Sequence, residues 1–192
     1  MHETRRLVEA ALALSSLLQN ATIPHAFYGS VMTAILSNAP LCDASTFTFP
    51  SSISYTLNIF PFFRKYSALS KAVTAMPILS GELYVTFRRL IPAIDIEILP
   101  AGETGPRRLD ASNTMRLQNV PFLTVSEFIR AKLKTWVIRG SERDAQDILY
   151  VFVRYWNRVD FNRITEQDMN VFVSRNAAAG PAWVALRRKY GM

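Results

Sequence analysis

Apolar and polar positions along the start of the chain predict a helix, a strand and a second helix. Residues 4–20 repeat apolar side chains at helical spacing and are predicted to form an amphipathic helix. The short aromatic segment 25–28 predicts a strand, and Gly29-Ser30 predicts a tight turn after it. Ser30 is then expected to cap a helix over residues 31–37. The repeat in the first helix consists of Leu7, Ala11, Leu14 and Leu18.

Strand patterns dominate the middle of the chain. Residues 42–49, 83–88 and 93–99 alternate apolar and polar positions or are rich in β-branched and aromatic side chains, which favours strands. A helix is predicted from about residue 62 to residue 75. Residues 100–106 contain glycines and prolines that predict a loop.

Helical signals fill the C-terminal part, and most of them include a start or a stop signal. The predicted helices are 127–139, capped by Ser126 and ended by Gly140; 141–156, opened by the capping-box spacing of Ser141 and Asp144; 165–175; and 180–189.

This order of elements predicts an α+β fold, with a small mixed or antiparallel sheet, flanking helices and a C-terminal helical segment. The change from strand signals to helix signals places a boundary near residue 120. We expect residues 1–120 to form the α/β core and residues 121–192 to pack on it as one compact unit, because 192 residues suit a single domain.

Charge is distributed unevenly between these two parts. The formal net charge is +7 and the sequence pI is about 9.9. Residues 1–103 carry seven basic and seven acidic side chains, whereas residues 104–192 carry fifteen basic and eight acidic ones. Between Ala10 and Phe63 the one formally charged residue is Asp43. A basic second part favours an anionic ligand, and Asp43 is a carboxylate in an apolar stretch.

The remaining composition excludes several classes of protein. One cysteine excludes a disulfide framework and a multi-cysteine metal site, and two histidines exclude most histidine-rich zinc sites. The uncharged segment 44–63 has the length of a membrane span, but its prolines, Asn58 and hydroxylated side chains argue against spanning. We therefore expect a cytoplasmic protein with no membrane partner.

Gly29-Ser30 and three acidic residues form the candidate site. A small turn at a helix start can receive a phosphate through backbone N–H groups. Asp43 opens the strand predicted after that helix, and Asp95 and Glu97 share one face of a later strand. Carboxylates on adjacent strands can hold a divalent metal ion against such a phosphate.

This order of motifs resembles the nucleotidyltransferase superfamily with the polymerase-beta-like fold. The likeness is to its minimal members, which include abortive-infection toxins and many uncharacterised fungal proteins. Residues 28–30 (Tyr-Gly-Ser) match the family's start of a hydrophobic residue, Gly, and Gly or Ser. Asp43 and the alanine after it match the first carboxylate and its hydrophobic spacer. Asp95 or Glu97 would then be the third carboxylate.

Four residues continue the resemblance into the second part of the chain. Minimal members carry a Lys on a helix, an Arg about seven residues later, and Asp residues that open the next helix. Lys132, Arg139, Asp144 and Asp147 fall in that order. The resemblance implies that Lys132 and Arg139 bind phosphate and that the two aspartates border the nucleotide site.

Ser45 departs from the family pattern, because it stands where the second carboxylate of the metal pair is expected and is a poor magnesium ligand. The resemblance therefore implies an incomplete two-metal site that binds a small anionic or nucleotide-like ligand. If the protein is active, the implied reaction is nucleotidyl transfer from a nucleoside triphosphate with magnesium. Asp43, Asp95 and Glu97 would be its catalytic residues, with Asp43 and Asp95 as metal ligands. Nucleic acid is not an expected partner, and the oligomeric state is left open.

Two other functions fit the same residues. One is an acid–base enzyme for a small apolar metabolite, in which Asp43 or Asp95 acts beside the aromatic-rich segment 47–63. The other is a non-catalytic interaction module derived from such an enzyme. Cys42 and His25 also suggest a thiol–imidazole pair, although a lone cysteine is more often a buried apolar residue and His25 a structural one.

Overall fold

The computed structural model describes residues 2–37, 52–57, 74–77, 83–100 and 105–192. In these ranges helices flank a sheet in the first part and follow one another in the second. The α-helices are α1 (His2–Asn20), α2 (Ser30–Ser37), α3 (Val125–Arg139), α4 (Glu142–Tyr155), α5 (Glu166–Arg175) and α6 (Gly180–Lys189). The strands are β1 (His25–Tyr28), β2 (Ser52–Leu57), β3 (Thr74–Pro77), β4 (Leu83–Phe87), β5 (Ile94–Pro100), β6 (Thr114–Leu117) and β7 (Val120–Leu123).

The described strands form one mixed sheet in the order β3-β4-β5-β2-β1-β7-β6. β1 pairs antiparallel with β2 and parallel with β7, and β2 pairs parallel with β5. β1 therefore lies inside the sheet, and all four of its residues are buried. Burial on both faces explains why this strand is a continuous apolar and aromatic run rather than an alternating one.

The predicted fold class is confirmed: the fold is α+β, with a mixed sheet, flanking helices and a helical C-terminal segment. β1, β4 and β5 form where the strand patterns predict them. The apolar stripe of α1 packs into the core, where Leu14 is 3 % exposed and Leu18 is 1 % exposed. β7 begins at the predicted boundary near residue 120. It nevertheless belongs to the sheet of the first part, because it pairs with β1.

The segment that pairs with β1 differs from the one that the sequence favours. The strand predicted over residues 42–49 lies outside the described residues. The antiparallel neighbour of β1 in the described sheet is β2, with Tyr28 opposite Ser54 and His25 opposite Leu57. The segment 52–57 also alternates polar and apolar residues, so local pattern does not choose between the two segments.

The helix predicted over residues 62–75 is wrong at its C-terminal end. Thr74 and Ala75 belong to β3, where they pair with Thr86 and Val85 of β4. The backbone hydrogen bonds of a sheet override a local preference of this size. Residues 62–73 lie outside the described residues.

The β6–β7 hairpin is a further element that the sequence does not predict. Its two strands are joined by Gln118 and Asn119, which have φ values of 49° and 66°. Positive φ at both central residues is the geometry of a type I′ turn, which favours Asn-Gly or Asp-Gly pairs. A Gln-Asn pair gives little turn signal, and Pro121 weakens the strand pattern after it.

The starts and ends of α3 and α4 follow the sequence in part. Gly140 ends α3 with a left-handed φ of 64°, and the Ser141 hydroxyl accepts a hydrogen bond from the Asp144 N–H at 3.3 Å at the start of α4, both as predicted. The prediction that Ser126 caps α3 is wrong, because Thr124 holds that position. The buried Ser126 hydroxyl instead accepts a hydrogen bond from the Asp160 N–H at 2.9 Å.

The C-terminal helices and the sheet share one hydrophobic core. Phe122 of β7, Phe128 of α3 and Phe152 of α4 are fully buried in it. The Tyr155 hydroxyl at the end of α4 donates a hydrogen bond to the Leu36 carbonyl at the end of α2, at 2.8 Å. Among the described helices, none is both long and apolar enough to cross a bilayer.

Candidate functional site

A glycine with a positive φ joins β1 to the start of α2. Gly29 is buried and has a φ of 103°. Residues other than glycine adopt this backbone conformation only with steric strain. α2 starts immediately after it with Ser30, and the Met32 N–H donates a hydrogen bond to the Gly29 carbonyl at 2.9 Å. Ser30 is thus the first residue of the helix rather than a residue before it. The first N–H groups of a helix are free to bind an anion.

Asp95 and Glu97 lie on β5, two strands from this turn. Each alternates with Ile94 and Ile96, whose side chains are at most 1 % exposed, so both acidic positions lie on the other face of the strand. Glu97 pairs with Ser54 of β2, which pairs in turn with Tyr28 of β1. Two strand spacings separate the Cα atoms of Tyr28 and Glu97, which is about 10 Å.

Strand direction brings the candidate residues to one end of the sheet. β1 runs antiparallel to β2 and β5, so the C-terminal end of β1, where Gly29 lies, is beside the N-terminal ends of β2 and β5. Asp95 is paired with Ser52, two residues beyond the Ser54–Tyr28 pair in the direction of the turn. The fold therefore places the glycine turn and the acidic positions of β5 at the same end of the sheet.

The strand between them carries serines at the neighbouring positions. Ser52 pairs with Asp95, and Ser54 pairs with Glu97. Magnesium prefers carboxylate oxygens, and a hydroxyl is a weaker ligand without charge. Asp43, a predicted metal ligand, and Ser45, which stands at the position of the second carboxylate, lie outside the described residues.

A metal site at this end of the sheet would depend on the acidic positions of β5. Two carboxylates on one strand face suit a single magnesium ion that keeps most of its water. A two-ion centre needs further carboxylates that bridge the ions, and β2 offers Ser52 and Ser54 beside them. Within the described side chains, no group of three His, Cys, Asp or Glu residues is placed to hold a metal ion.

Three of the predicted site residues, Lys132, Asp144 and Asp147, form a cluster of charged side chains. Its ammonium group lies 2.5 Å from the Asp144 carboxylate and 3.1 Å from that of Asp147, which joins α3 to α4. The three side chains are 10–14 % exposed. One lysine and two aspartates leave a formal charge of −1 in this cluster. Since the ammonium group has three N–H donors, a third direction is left for another acceptor.

Arg139 lies elsewhere on α3. It is exposed in the last turn of the helix, next to Gly140, and forms no ion pair with another described side chain. Lys132 and Arg139 therefore share a helix, but one is mostly buried and engaged and the other faces solvent.

Glu127 is a buried charged residue that the sequence motifs miss. Its carboxylate is 5 % exposed and accepts hydrogen bonds from Arg130 at 2.8 Å and from Arg163 at 2.9 Å. The hydrogen bond that Arg163 donates to Glu127 raises the pKa of Arg163. Arg130 lies three residues after Glu127 and gives a local signal, whereas Arg163 is a partner that sequence spacing alone cannot identify.

His25 has a structural environment. Its Nδ1 lies 2.8 Å from the Ile23 carbonyl and its Nε2 lies 2.8 Å from the Ser15 hydroxyl of α1. Since a carbonyl only accepts, Nδ1 carries the proton and Nε2 accepts from Ser15. Burial lowers the pKa of His25 and the charge of Arg116 lowers it further, against the hydrogen bond to the Ile23 carbonyl, which raises it. The proposed partner Cys42 lies outside the described residues.

Comparison with solved structures identifies the class of this fold. An antigenic nucleotidyltransferase-like protein from Paracoccidioides brasiliensis has a TM-score of 0.61 and 16% sequence identity, over 94% of this chain and 91% of that chain. The antibiotic-resistance factor ANT(2'')-Ia has a TM-score of 0.51 and 10% identity, over 97% of this chain and 96% of that chain. No family model and no curated protein match the sequence. The chain therefore has a nucleotidyltransferase-like fold.

Proposed function

We propose that this protein binds a small anionic or nucleotide-like ligand at the end of the sheet where β1 meets α2. The ligand's phosphate would lie at the Gly29-Ser30 turn and accept hydrogen bonds from the first N–H groups of α2. Asp95 and Glu97 would form the acidic side of the site. If the protein is active, the reaction is nucleotidyl transfer from a nucleoside triphosphate.

One observation carries this proposal. A glycine with a φ of 103° opens α2 at the same end of the sheet as two acidic positions of β5. A glycine turn before a helix is common, and so are acidic residues on a strand. Their combination in a nucleotidyltransferase-like fold is what favours a phosphate ligand.

Lys132 has a different role in the proposal from the one that its charge alone suggests. Because Asp144 and Asp147 already neutralise it, it cannot act as a free positive charge. It orients the two aspartates at the α3–α4 contact and offers its third N–H to a ligand phosphate. Arg139, which is exposed, supplies free positive charge for the ligand.

The serines of β2 favour a second candidate, a non-catalytic ligand-binding or interaction module. Ser52 and Ser54 pair with Asp95 and Glu97, so β2 adds no carboxylate of the kind that bridges the ions in two-metal transfer. Such a protein would bind nucleotide without turning it over, or would have lost nucleotide binding as well. The acid–base alternative rests on the segment 47–63, most of which lies outside the described residues.

Titration calorimetry with ATP, GTP, CTP and UTP, each with and without magnesium, tests the proposal. Binding of at least one nucleotide supports it, and product analysis after incubation then separates an enzyme from a binding module. Well-folded protein that gives no binding heat with any of the four would overturn the nucleotide proposal. Thermal melting in each buffer confirms that the protein is folded.

A further inference from the structure

The turn between β4 and β5 exposes an apolar side chain at its tip. β4 and β5 pair as far as Phe87 and Ile94, and residues 88–93 form the turn between them. Ile91 is 96 % exposed, which is the highest value among the large hydrophobic side chains that the structure describes. A single exposed isoleucine on a surface is ordinary, so the charges around Ile91 must carry the argument for a partner.

That surround is basic. Arg88 and Arg89 are exposed in the turn, and Arg5 is exposed at the start of α1. Arg6 donates a hydrogen bond to the Pro92 carbonyl, which fixes the start of α1 beside the turn. Among the side chains that the structure describes, none forms an ion pair with Arg5, Arg88 or Arg89. The 88–93 turn itself contains no acidic residue.

We propose that the 88–93 turn docks on an anionic lipid bilayer. Arg88 and Arg89, with Arg5 behind them, would lie among the anionic headgroups. Ile91 would enter the boundary between headgroups and acyl chains, where an apolar side chain leaves water. Basic residues close to an anionic leaflet are attracted to its surface potential.

The shape and chemistry of the turn favour lipid over other anionic partners. A stable protein–protein interface needs about 20–30 residues on each side, which a projecting turn of this size does not supply. Proteins that bind single-stranded nucleic acid combine basic residues with aromatic platforms, and residues 88–93 include no aromatic side chain. A fluid bilayer needs no complementary shape and accepts an isoleucine.

This surface lies at the same end of the sheet as Gly29, because the C-terminal end of β4 and the N-terminal end of β5 lie beside the C-terminal end of β1. Docking would bring that end of the sheet towards the bilayer. This proposal departs from the expectation of no membrane partner, because the exposure of Ile91 and the proximity of α1 appear only in the folded chain.

Vesicle co-sedimentation without nucleotide tests this proposal independently of the proposed function. The wild type is expected to bind vesicles of 30% phosphatidylserine and 70% phosphatidylcholine in 0.1 M salt, and to bind pure phosphatidylcholine at least ten-fold more weakly. The double variant Arg88→Ala/Arg89→Ala is expected to lower the partition coefficient about 25-fold, from about five-fold for each arginine. Ile91→Ser is expected to lower it about five- to ten-fold.

Two matched controls separate docking from general charge. Arg154→Ala/Arg188→Ala removes the same charge from exposed positions on α4 and α6, and Val184→Ser removes a 55 % exposed apolar side chain from α6. Both controls should bind as the wild type does. Equal loss with Arg154→Ala/Arg188→Ala, no loss with Ile91→Ser, or no binding of the wild type to phosphatidylserine vesicles would each overturn the proposal. Unchanged vesicle binding by the Arg88→Ala/Arg89→Ala variant would also overturn it. If that variant bound a single-stranded RNA oligonucleotide or a poly-glutamate peptide more weakly instead, the partner would be nucleic acid or an acidic peptide.

Discussion

The Lys132 ammonium group of α3 lies 3.1 Å from the Asp147 carboxylate of α4, in a contact where both side chains are mostly buried. Asp144 contacts the same ammonium group from one turn earlier on α4. Partly buried charges of this kind are costly to separate, because each is left without its partner and without full hydration. The cluster is therefore a structural element as well as a candidate part of the ligand site.

Replacing Lys132 with methionine should destabilise the fold strongly. The change leaves two aspartates close together without a counter-charge, which is expected to cost about 3 kcal/mol of unfolding free energy. Arg154→Ala, at an exposed position on α4, should change it by less than about 0.5 kcal/mol. Urea denaturation of both variants makes the comparison, and equal midpoints for the two would contradict this account of the cluster.

Glu127→Gln should weaken the link between α3 and the segment around Arg163. The amide keeps the size of the side chain but loses the charge that both Arg130 and Arg163 contact. We expect a loss of about 2 kcal/mol in unfolding free energy. Glu142→Gln, at an exposed position, serves as the control. A Glu127→Gln variant as stable as this control would show that the arginines find other partners.

His25 should make the stability of the protein depend on pH. Burial lowers its pKa in the folded state below the usual 6.5, so the unfolded chain takes up the proton first. The contribution of neutral His25 to the free energy of unfolding is complete above about pH 6.5. It is lost as the pH falls towards the folded pKa, by up to about 1.4 kcal/mol per pH unit. Between pH 7.5 and pH 5.5, the urea midpoint of the wild type should fall further than that of His25→Gln. Parallel losses in the two proteins would mean that other groups cause the pH dependence.

The sequence predicts the fold well where the signals are local. The β4 and β5 patterns, the α1 stripe and the Gly140 stop each depend on residues that are neighbours in the chain, and all are found. The β6–β7 hairpin is missed because Gln118 and Asn119 adopt positive φ without a glycine. Ser126 is misread because its partner, Asp160, is 34 residues away.

The candidate site is predictable in part for the same reason. Gly29 and the β5 acids come from motifs, and strand order then brings them to one end of the sheet. The identity of the strand between them depends on a choice between two alternating segments, which only pairing with β1 decides. That choice puts Ser52 and Ser54 beside Asp95 and Glu97. No spacing in the sequence predicts this pairing.

Neutralising Asp95 should affect ligand binding according to the role of magnesium. If Asp95 helps to hold a metal ion against the phosphate, Asp95→Asn removes most of the gain in nucleotide affinity that magnesium provides. Without magnesium the variant should bind at least as tightly as the wild type, because one repelling carboxylate is lost. Calorimetric titrations in both buffers measure this. Retention of the full magnesium effect in Asp95→Asn would remove Asp95 from the site.

The central claim is that the start of α2 receives the phosphate of a ligand, and Ser30→Glu tests it most directly. A glutamate in the first turn favours the helix through its dipole, so the fold should be kept, while its charge repels a phosphate at the same place. Gln167→Glu introduces the same charge at an exposed position in the first turn of α5. We predict that Ser30→Glu lowers nucleotide affinity in calorimetry at least ten-fold and that Gln167→Glu leaves it within two-fold. Equal affinities for the wild type and a well-folded Ser30→Glu variant would contradict the claim.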